Sequence, residues 1–554
     1  MKNIYLLIII LFLSACADKD QRPNILFIMS DDHAYQAISA YSDKLIQTPN
    51  IDRIADEGIL FTNACVTNSI CAPSRAVILT GKHSHLNGKI DNHAAFDTTQ
   101  VTFPQLFQKA GYQTAMYGKL HFGNNPKGVD DFLILPGQGD YINPKFLGKE
   151  KDTVITGYVS DVITDLTLNW FKTKRDKNKP FMMMYLHKAP HRAWWPSPEK
   201  FAEFYEKKFP EPETLFDDYS NRGTAAKTAE MNLLTHMQYM HDSKVRPAVI
   251  EEMGKVEPEI VYVRGDGTLM RPNASGFNRP FGRANEEQKK KYDVTLDKIS
   301  ADFKENWPKM NDEEKMRWKF QRYMQDYLAT ISSVDDNVGR VLDYLEETGL
   351  DKNTIVVFTS DHGYHLGEHG HWQKQTLFEN STRVPLIFSG PGLESNVRIE
   401  NSPVELIDIY PTLMDLTGIE TPDHVVGKSL KPIFENNNIK IRNSALTKWR
   451  NGYSIKTENF RITKWNKSDK FEYELYDHSN DKEELRNLVN NPNYSVLFDS
   501  LKIELELRIA DAKLKPKGVG RQFKQESYRK APNLTQGDIY NKNGDRVYFK
   551  PINE

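Results

Sequence analysis

Residues 24–32 read Asn-Ile-Leu-Phe-Ile-Met-Ser-Asp-Asp, a continuous apolar run that ends in two aspartates. A second run of the same design, Thr-Ile-Val-Val-Phe-Thr-Ser at 354–360, is followed by Asp361 and His362. Apolar runs of this length without alternation are typical of strands buried on both faces, as in a parallel sheet covered by helices. Ligands collect at the carboxyl ends of such strands, and both polar pairs follow a strand at that end.

Further apolar runs alternate with amphipathic helices along most of the chain. Strands are predicted at 112–118, 180–187 and 384–390, and helices at 48–58, 103–111, about 321–349 and 404–418. Because strands and helices alternate, the sequence predicts an α/β fold with a large mixed, mostly parallel sheet sandwiched by helices.

Two segments depart from this alternation. Residues 217–320 are polar and charged, and we interpret them as a partly helical insertion in the main domain, which spans 22–440. Between residues 441 and 554, short strands precede a helix near 492–511 and a tail. This part is predicted to be a smaller subdomain with an antiparallel sheet and a terminal helix.

The N-terminus has the features of an export signal. Residues 1–15 contain Lys2, a run of nine apolar residues and Leu-Ser-Ala directly before Cys16, and the run is shorter than the ~20 residues of a membrane-spanning helix. Leu-Ser-Ala-Cys resembles a bacterial lipobox, which implies a lipoprotein signal peptide at 1–15 and lipid on Cys16. The alternative is a plain signal peptide cut nearby. We therefore expect a protein that is lipid-anchored in the bacterial cell envelope, in the periplasm or on the outer-membrane surface.

The stretch Cys71-Ala-Pro-Ser-Arg75, inside TNSICAPSRAVILTGKHSH, is the most specific motif of the chain. Read alone, it is also compatible with an ordinary buried thiol before a helix. It resembles the Cys-x-Pro-Ser-Arg signature of the type I formylglycine-dependent sulfatases of the alkaline-phosphatase superfamily. Other stretches resemble landmarks of that family in the same order: MSDDHAY, GYQTAMYGKLHFG, KAPHRAWWP, SDHGYHLGEHGHWQK, STRVPLIFSGPG and ELYDHSNDKEELRNL. The resemblance covers nearly all of residues 22–490.

The resemblance implies two cofactor features. A maturase would oxidise Cys71 to 3-oxoalanine (formylglycine), whose hydrate supplies a nucleophilic oxygen. The Ca²⁺ ligands would be Asp31, Asp32, Asp361 and His362, together with residue 71, and clustered carboxylates by themselves favour a hard divalent cation. Many members of the family have Asn at the place of His362, and histidine there resembles the iduronate-2-sulfatase-like branch.

Three basic residues and one histidine would act on the nucleophile and the sulfate. By the resemblance, Arg75 would hold the formylglycine hydrate and Lys119 would contact the hydrate or the sulfate. Lys374 would bind a sulfate oxygen and support the leaving group. His121 would remove a proton from the hydrate, which expels sulfate and regenerates the aldehyde.

Other candidate residues lie where the leaving alcohol is expected. The family's proline-histidine match selects His191 as the acid that protonates the alcohol, and His187 is the alternative. Trp194, Trp195 and Trp372 flank these motifs. They are either platforms for sugar rings or parts of the core.

Charge and cysteine content exclude some classes of protein. The 554 residues include 73 basic and 75 acidic side chains, a formal net charge of −2. This balance does not indicate nucleic-acid binding, so recognition of a polyanion would be local to a pocket. The three cysteines are Cys16, Cys65 and Cys71. With Cys16 lipidated and Cys71 oxidised, the fold is expected to contain no disulfide.

The sequence therefore predicts a sulfatase that hydrolyses sulfate esters of a sulfated polysaccharide or its oligosaccharides. SDHGYHLGEHGHWQK resembles the uronate 2-sulfatase branch, whereas LPGQGDYINPKF (135–146) resembles bacterial relatives that act on other sugars, including glucosamine 6-sulfates and marine algal polysaccharides. An algal glycan such as ulvan is favoured, and a glycosaminoglycan is next. The alternatives are a phosphonate monoester or phosphodiester hydrolase of the same superfamily, or a non-catalytic sulfated-glycan-binding homologue with Cys71 unmodified.

Overall fold

The computed structural model describes residues 22–256, 262–263, 269–270, 274–393, 398–436, 438–467, 470–514 and 539–540. The predicted signal peptide at 1–15 and the predicted lipid site at Cys16 lie outside these ranges. Within them, no helix has both the length and the apolar character needed to cross a membrane.

The strands and helices of the described residues are numbered here in chain order. The strands are β1 (Asn24–Ser30), β2 (Gly58–Phe61), β3 (Ala64–Cys65), β4 (Gln113–Gly118), β5 (Asp131–Ile134), β6 (Lys145–Gly148), β7 (Thr153–Val154), β8 (Phe181–Leu186), β9 (Tyr262–Val263), β10 (Leu269–Met270), β11 (Thr354–Ser360), β12 (His365–Leu366), β13 (Trp372–Gln373), β14 (Leu386–Ser389), β15 (Arg398–Glu400), β16 (Val404–Glu405), β17 (Ala445–Trp449), β18 (Gly452–Lys456), β19 (Phe460–Lys467), β20 (Lys470–Asp477) and β21 (Ile539–Tyr540). The helices are α1 (Pro49–Asp56), α2 (Cys71–Thr80), α3 (Ser84–Asn87), α4 (Phe103–Lys109), α5 (Val159–Thr173), α6 (Pro198–Tyr205), α7 (Thr224–Lys227), α8 (Leu233–His236), α9 (Pro247–Val256), α10 (Ser275–Gly282), α11 (Glu286–Asn306), α12 (Asp312–Glu347), α13 (Glu379–Thr382), α14 (Ile409–Leu416), α15 (Lys431–Glu435) and α16 (Ser495–Lys513).

The centre of the molecule is a large sheet. Its described strands have the order β15-β2-β14-β11-β1-β8-β4-β5-β6-β7. β1 runs parallel to β11 on one side and to β8 on the other, and β4 is parallel to β8 and β5. β14 is antiparallel to β11 and β2, and β6 is antiparallel to β5 and β7. The predicted α/β fold with a large mixed, mostly parallel sheet is confirmed.

β1 occupies the middle of the sheet because both of its faces are apolar. Ile25, Phe27 and Met29 belong to the core on one side of the sheet, and Leu26 and Ile28 belong to the core on the other side. None of these five residues is more than 2% exposed. A strand covered on both faces needs apolar residues at successive positions, which explains the unbroken run in the sequence.

α12 is the longest described helix, and it begins earlier than predicted. The apolar periodicity predicts a start near residue 321, whereas the helix spans Asp312–Glu347. Asn311 and Glu314 form a reciprocal capping box, in which each side chain accepts the backbone N–H of the other residue (3.0 and 2.8 Å). The first turn is charged and largely exposed, so an apolar pattern does not reveal it.

The predicted helix at 404–418 also differs at its start. Val404–Glu405 form β16, which pairs in parallel with β3, and α14 begins only at Ile409. The carboxylate of Asp408 accepts the backbone N–H of Glu405 (2.9 Å). This bond closes the turn between the short strand and the helix.

The C-terminal part forms the smaller subdomain that the sequence predicts. β17, β18, β19 and β20 make an antiparallel sheet, and α16 packs on it through Leu501, Leu505 and Ile509. The predicted insertion at 217–320 includes α7 to α11. It contacts the loop after β8, since the Tyr292 hydroxyl donates to the carbonyl of Pro196 (2.8 Å).

Candidate active site

The polar pairs that follow β1 and β11 lie side by side. The two strands are paired in parallel register up to their last residues, so Asp31–Asp32 and Asp361–His362 leave the sheet at the same edge. The backbone N–H of Asp32 donates to Oδ1 of Asp361 (3.1 Å). All four residues are fully buried. The sheet thus gathers three carboxylates and an imidazole out of contact with solvent.

Cys71 is the first residue of α2 and reaches the same edge of the sheet. Its Sγ lies 3.2 Å from Nε2 of His362 and 3.7 Å from Oδ1 of Asp32. Every residue of α2 is buried, and Cys71 is 0% exposed. A thiol that only filled the core would be surrounded by apolar groups, whereas this thiol contacts an imidazole and a carboxylate.

Arg75 lies one helical turn after Cys71 and binds the same carboxylates. Its Nε donates to Oδ2 of Asp361 (2.8 Å), and one terminal nitrogen lies 3.4 Å from Oδ1 of Asp31. The other terminal nitrogen donates to the backbone carbonyl of Lys119. These contacts hold the guanidinium in place, so it presents a permanent positive charge next to Cys71.

Two lysines also bind the carboxylates. The ammonium group of Lys119, which follows β4, donates to Oδ2 of Asp31 and to Oε1 of Gln138. The ammonium group of Lys374 donates to both carboxylate oxygens of Asp32 (2.7 and 2.6 Å). Burial alone would raise the pKa of Asp32, but the charge of Lys374 holds that pKa below its ordinary value.

Gly118 allows Lys119 to leave β4 close to β8. Its φ is +109°, and a Cβ at this position would lie 1.7 Å from the carbonyl oxygen of Leu186. The backbone N–H of Lys119 donates to the same oxygen (2.9 Å). Only glycine combines this backbone conformation with this approach.

His121 has the properties of a proton acceptor. It adopts the left-handed conformation (φ +68°), as Asp32 does (φ +67°), and such conformations cluster at functional sites. Its Nδ1 is buried and has no hydrogen-bond partner in the described part of the chain. Burial, and after it the charge of Lys119, lowers the pKa of His121 well below its ordinary value. The ring is therefore neutral at neutral pH and can accept a proton.

His191 and His187 both follow β8, but their surroundings differ. Nε2 of His191 lies 3.9 Å from Oδ2 of Asp32, and Nδ1 bonds the backbone carbonyl of Arg192. Because a carbonyl only accepts, Nδ1 carries a proton and Nε2 faces the carboxylates. Neither ring nitrogen of His187 has a hydrogen-bond partner among the described residues, and its ring packs on Tyr185 (centroids 4.4 Å apart). The geometry favours His191 as the histidine of the site.

The cluster contains a donor set that fits a metal ion. One ligand atom each of Asp31, Asp32, Cys71 and His362 lies within 4.8 Å of the others. Oδ1 of Asp361 lies 3.6 Å from Nε2 of His362. Oδ1 of Asp31 is buried and accepts no hydrogen bond from any described residue. A buried carboxylate oxygen without a donor is a suitable ligand for Ca²⁺.

Comparison with known protein families identifies the chain. A family model described as Sulfatase matches residues 23–419, which is most of the chain. The chain belongs to the sulfatase family. A second model, described as N-sulphoglucosamine sulphohydrolase, C-terminal, matches residues 367–511 of this sulfatase. The protein is therefore a sulfuric ester hydrolase, and the predicted family is confirmed.

Three relatives describe the similarity in more detail. This sulfatase is 39% identical over 509 residues to an N-acetylglucosamine-6-O-sulfatase of Bacteroides thetaiotaomicron, covering 88% of this chain and 86% of the relative. A solved structure, a complex of a protein with its substrate D-glucosamine-2-N,6-O-disulfate, is 39% identical with a TM-score of 0.81, covering 89% of this chain and 98% of that chain. An ulvan-active sulfatase of Formosa agariphila is 23% identical over 536 residues, covering 92% of this chain and 84% of the relative.

The structure places the predicted site residues of this sulfatase in one buried cluster. The residues joined by direct contacts are Asp31, Asp32, Cys71, Arg75, Lys119, Asp361, His362 and Lys374, with His191 at their edge. His121 is linked to them through the charges of Lys119, Asp31 and Arg75. Trp194, Trp195 and Trp372 are 0% exposed and belong to the core. The interpretation of these tryptophans as sugar platforms is therefore wrong.

The sequence motifs of this sulfatase missed three polar residues near the cluster. Gln138 contacts Lys119, and Arg192 donates to both carboxylate oxygens of Asp242 (2.7 and 2.8 Å) right after His191. Gln138 lies in a Gly-rich turn after β5, a pattern that signals a loop but no chemistry. Asp242 lies in the insertion, where no motif singles it out.

Proposed function

We propose that this sulfatase removes 6-O-sulfate groups from glucosamine residues of glycosaminoglycan-type saccharides. The observation that carries the proposal is the 39% identity, over 88% of the chain, to an N-acetylglucosamine-6-O-sulfatase. The 39% identical solved structure contains D-glucosamine-2-N,6-O-disulfate as the substrate of that protein, which supports the same sugar.

Sulfated algal glycans such as ulvan stay a prediction and take second place. The relative named as ulvan-active is 23% identical, compared with 39% for the glucosamine relative. This reverses the order that the sequence motifs favour. A phosphonate or phosphodiester hydrolase and a non-catalytic glycan-binding protein both lose support, because the chain matches the sulfatase family over residues 23–419.

The proposed Ca²⁺ would be held by Asp31, Asp32, Asp361 and His362, together with residue 71. Bound Ca²⁺ supplies positive charge that stabilises negative charge on the sulfate oxygens. All of these ligands are buried at one edge of the sheet.

The two lysines of the cluster support this assignment. Lys119 and Lys374 are the residues expected to bind sulfate, yet in the structure they donate to Asp31 and Asp32. A divalent cation at these carboxylates would compete with the two ammonium groups for the same oxygens. The ammonium groups would then be available for the sulfate.

We also propose that a maturase converts Cys71 to formylglycine, whose hydrate supplies the oxygen that attacks sulfur. The place of Cys71, between the candidate metal ligands and Arg75, supports this. Mass analysis of the peptide that contains residue 71 tests it directly, because the conversion removes sulfur and adds oxygen. An unmodified thiol in active enzyme contradicts it.

His191 and His121 would perform the proton transfers. Burial lowers the pKa of His191 well below its ordinary value, and the charges of Lys119 and Lys374 lower it further. A bound sulfate ester carries negative charge that opposes these two cations and raises this pKa, so substrate binding favours the protonated ring. His191 can then protonate the leaving oxygen from Nε2, and the neutral His121 can accept a proton from the side chain of residue 71.

The cell-envelope location is a proposal from the N-terminal sequence. Leu-Ser-Ala-Cys supports lipid on Cys16, which would anchor the sulfatase to an envelope membrane. Cys16→Ala should then move the protein from the membrane fraction to the soluble fraction. A variant that stays in the membrane fraction contradicts lipid anchoring at this residue.

A panel of defined saccharides tests the proposed substrate. The active enzyme is incubated separately with N-acetylglucosamine 6-sulfate, glucosamine 2-N,6-O-disulfate, uronate 2-O-sulfated oligosaccharides and ulvan oligosaccharides. Mass and the position of the lost sulfate are recorded. We expect loss of the 6-O-sulfate from both glucosamine compounds with the N-sulfate retained. Preferred desulfation of the uronate or ulvan oligosaccharides would overturn the proposal.

A further inference from the structure

Lys188 is a buried lysine in the loop after β8, between His187 and His191. The residue is 3% exposed, and its ammonium nitrogen lies 4.4 Å from the centre of the Tyr141 ring. Of the described residues, this ring is the one contact of the ammonium group, which takes part in no ion pair or hydrogen bond there. Neither the sequence motifs nor the named relatives assign a role to Lys188.

The charged groups around Lys188 are those of the active site. The side chains that act on it electrostatically are Lys119, Asp31, Asp140 and Asp32. Each of these aspartates binds a different cation: Asp31 binds Lys119, Asp32 binds Lys374, and Asp140 lies 3.5 Å from Arg279 and 3.4 Å from Arg283. Lys188 therefore lies within electrostatic reach of the carboxylates but has no counterion of its own among the described residues.

A buried ammonium group without a counterion is unfavourable. Burial, and after it the charge of Lys119, lowers the pKa of Lys188 to about 7. The fold nevertheless fixes Lys188 beside the predicted acid, because Tyr141 contacts both residues. Its ring faces the ammonium group, and its hydroxyl donates to the backbone carbonyl of His191 (2.6 Å). A negative charge that enters the site with the substrate would supply the missing counterion.

We propose that Lys188 is an additional anion-binding residue of this active site and that its ammonium group binds the sulfate ester of the substrate. The proposal rests on the proposed sulfate-binding role of this cluster, but not on which sugar carries the sulfate. It adds a third ammonium group to Lys119 and Lys374.

Binding of inorganic sulfate tests the proposal without any sugar. Calorimetry on the calcium-loaded, mature enzyme should show that Lys188→Met binds sulfate at least ~10-fold more weakly than the wild type. Lys188→Arg should retain most of the affinity because it retains the charge. Binding of N-acetylglucosamine, the uncharged product of the proposed reaction, should change less than twofold in both variants. If Lys188→Met binds sulfate as tightly as the wild type, the proposal is wrong.

Lys82 offers a matched control. It is also 3% exposed, and burial likewise lowers its pKa, but it lies beyond the C-terminal end of α2, about 15 Å along the helix axis from Cys71. Lys82→Met should leave sulfate affinity unchanged. An equal loss of affinity in Lys82→Met would show a general effect of removing a buried lysine and would overturn the proposal. Melting temperatures establish folding, and Lys188→Gln replaces Lys188→Met if the latter does not fold.

Discussion

At the scale of single residues, Lys119 and Lys374 are bound to the carboxylates of Asp31 and Asp32. Exhaustive chelation should abolish sulfate-ester hydrolysis, and added Ca²⁺ should restore it, because the lysines otherwise stay paired with the aspartates. Metal analysis of protein purified without chelator should find about one calcium per chain.

The control for this prediction is a surface aspartate. Asp32→Asn should lose calcium, whereas Asp343→Asn, whose side chain is 59% exposed, should retain it. Zinc in place of calcium, or full activity after chelation, would contradict the prediction.

His191 and His187 are expected to differ in one specific property. His191→Ala should lose roughly 10²-fold or more in kcat on a sulfated sugar, and far less on 4-nitrophenyl sulfate, because nitrophenol leaves without a proton. His187→Ala should show no such selectivity, since its ring nitrogens have no hydrogen-bond partner in the part of the chain that the structure describes.

The result of this comparison can identify another acid. If the two variants exchange these behaviours, His187 is the acid. If both lose activity equally on both substrates, the leaving group is protonated elsewhere, and Lys374 is then the next candidate.

At the scale of elements, α1 is capped by a residue of α12. The carboxylate of Asp335 accepts the backbone N–H of Asn50 (3.1 Å) and of Ile51 (2.9 Å). Asp335→Ala should lower the free energy of unfolding by about 1–2 kcal/mol, the usual effect of losing a cap. Asp336→Ala removes a carboxylate that is 55% exposed and should cost less than ~1 kcal/mol. Urea unfolding measures both, and equal losses would contradict the capping role.

Asp335 also predicts a pH dependence of stability. Burial raises its pKa to about 6 in the folded protein, compared with 3.8 for a free aspartate. The folded state then binds more protons than the unfolded state between these two values, so the free energy of unfolding falls as the pH rises from about 4 to about 6. Asp335→Asn should reduce this slope, as measured by urea unfolding at several pH values. An unchanged slope would show that Asp335 titrates normally.

Elements were predictable where one physical signal determines them. β11 has the predicted bounds and β1 extends one residue past the predicted run, because buried strands need uninterrupted apolar residues. The start of α12 depends on a polar capping box, and β16 depends on pairing with β3, which is about 340 residues away. Apolar patterning carries neither kind of information.

At the scale of the whole molecule, the C-terminal subdomain is joined to the main domain by a buried ion cluster. Arg461 of β19 donates to Glu484 (2.7 Å) and to Glu379 of α13. Arg461→Met leaves two buried carboxylates without this partner and should lower the free energy of unfolding by about 3–5 kcal/mol. The control Lys440→Met breaks an exposed pair with Glu458 (57% and 51% exposed) and should cost at most ~1 kcal/mol. Similar losses in both variants would contradict the joining role.

The candidate site was predictable from the sequence where motifs mark it. Cys71, Arg75 and the aspartates lie in recognisable motifs, and the structure brings them together. Gln138 and Lys188 are single residues in loops, and their importance comes from neighbours that the fold supplies. Their contacts exist only after distant parts of the chain have met, so no local pattern reports them.

The burial of Cys71 also has a consequence in time. The thiol is inaccessible in the folded protein, and its contact with His362 spans 291 residues of sequence. At ~5–20 residues per second, synthesis of that stretch takes about 15 to 60 s. During this interval the residues that cover Cys71 do not yet exist, and a modifying enzyme can reach the extended chain. Once the strand before His362 has joined the sheet, the opportunity closes, so chains that fold before oxidation would remain permanently inactive.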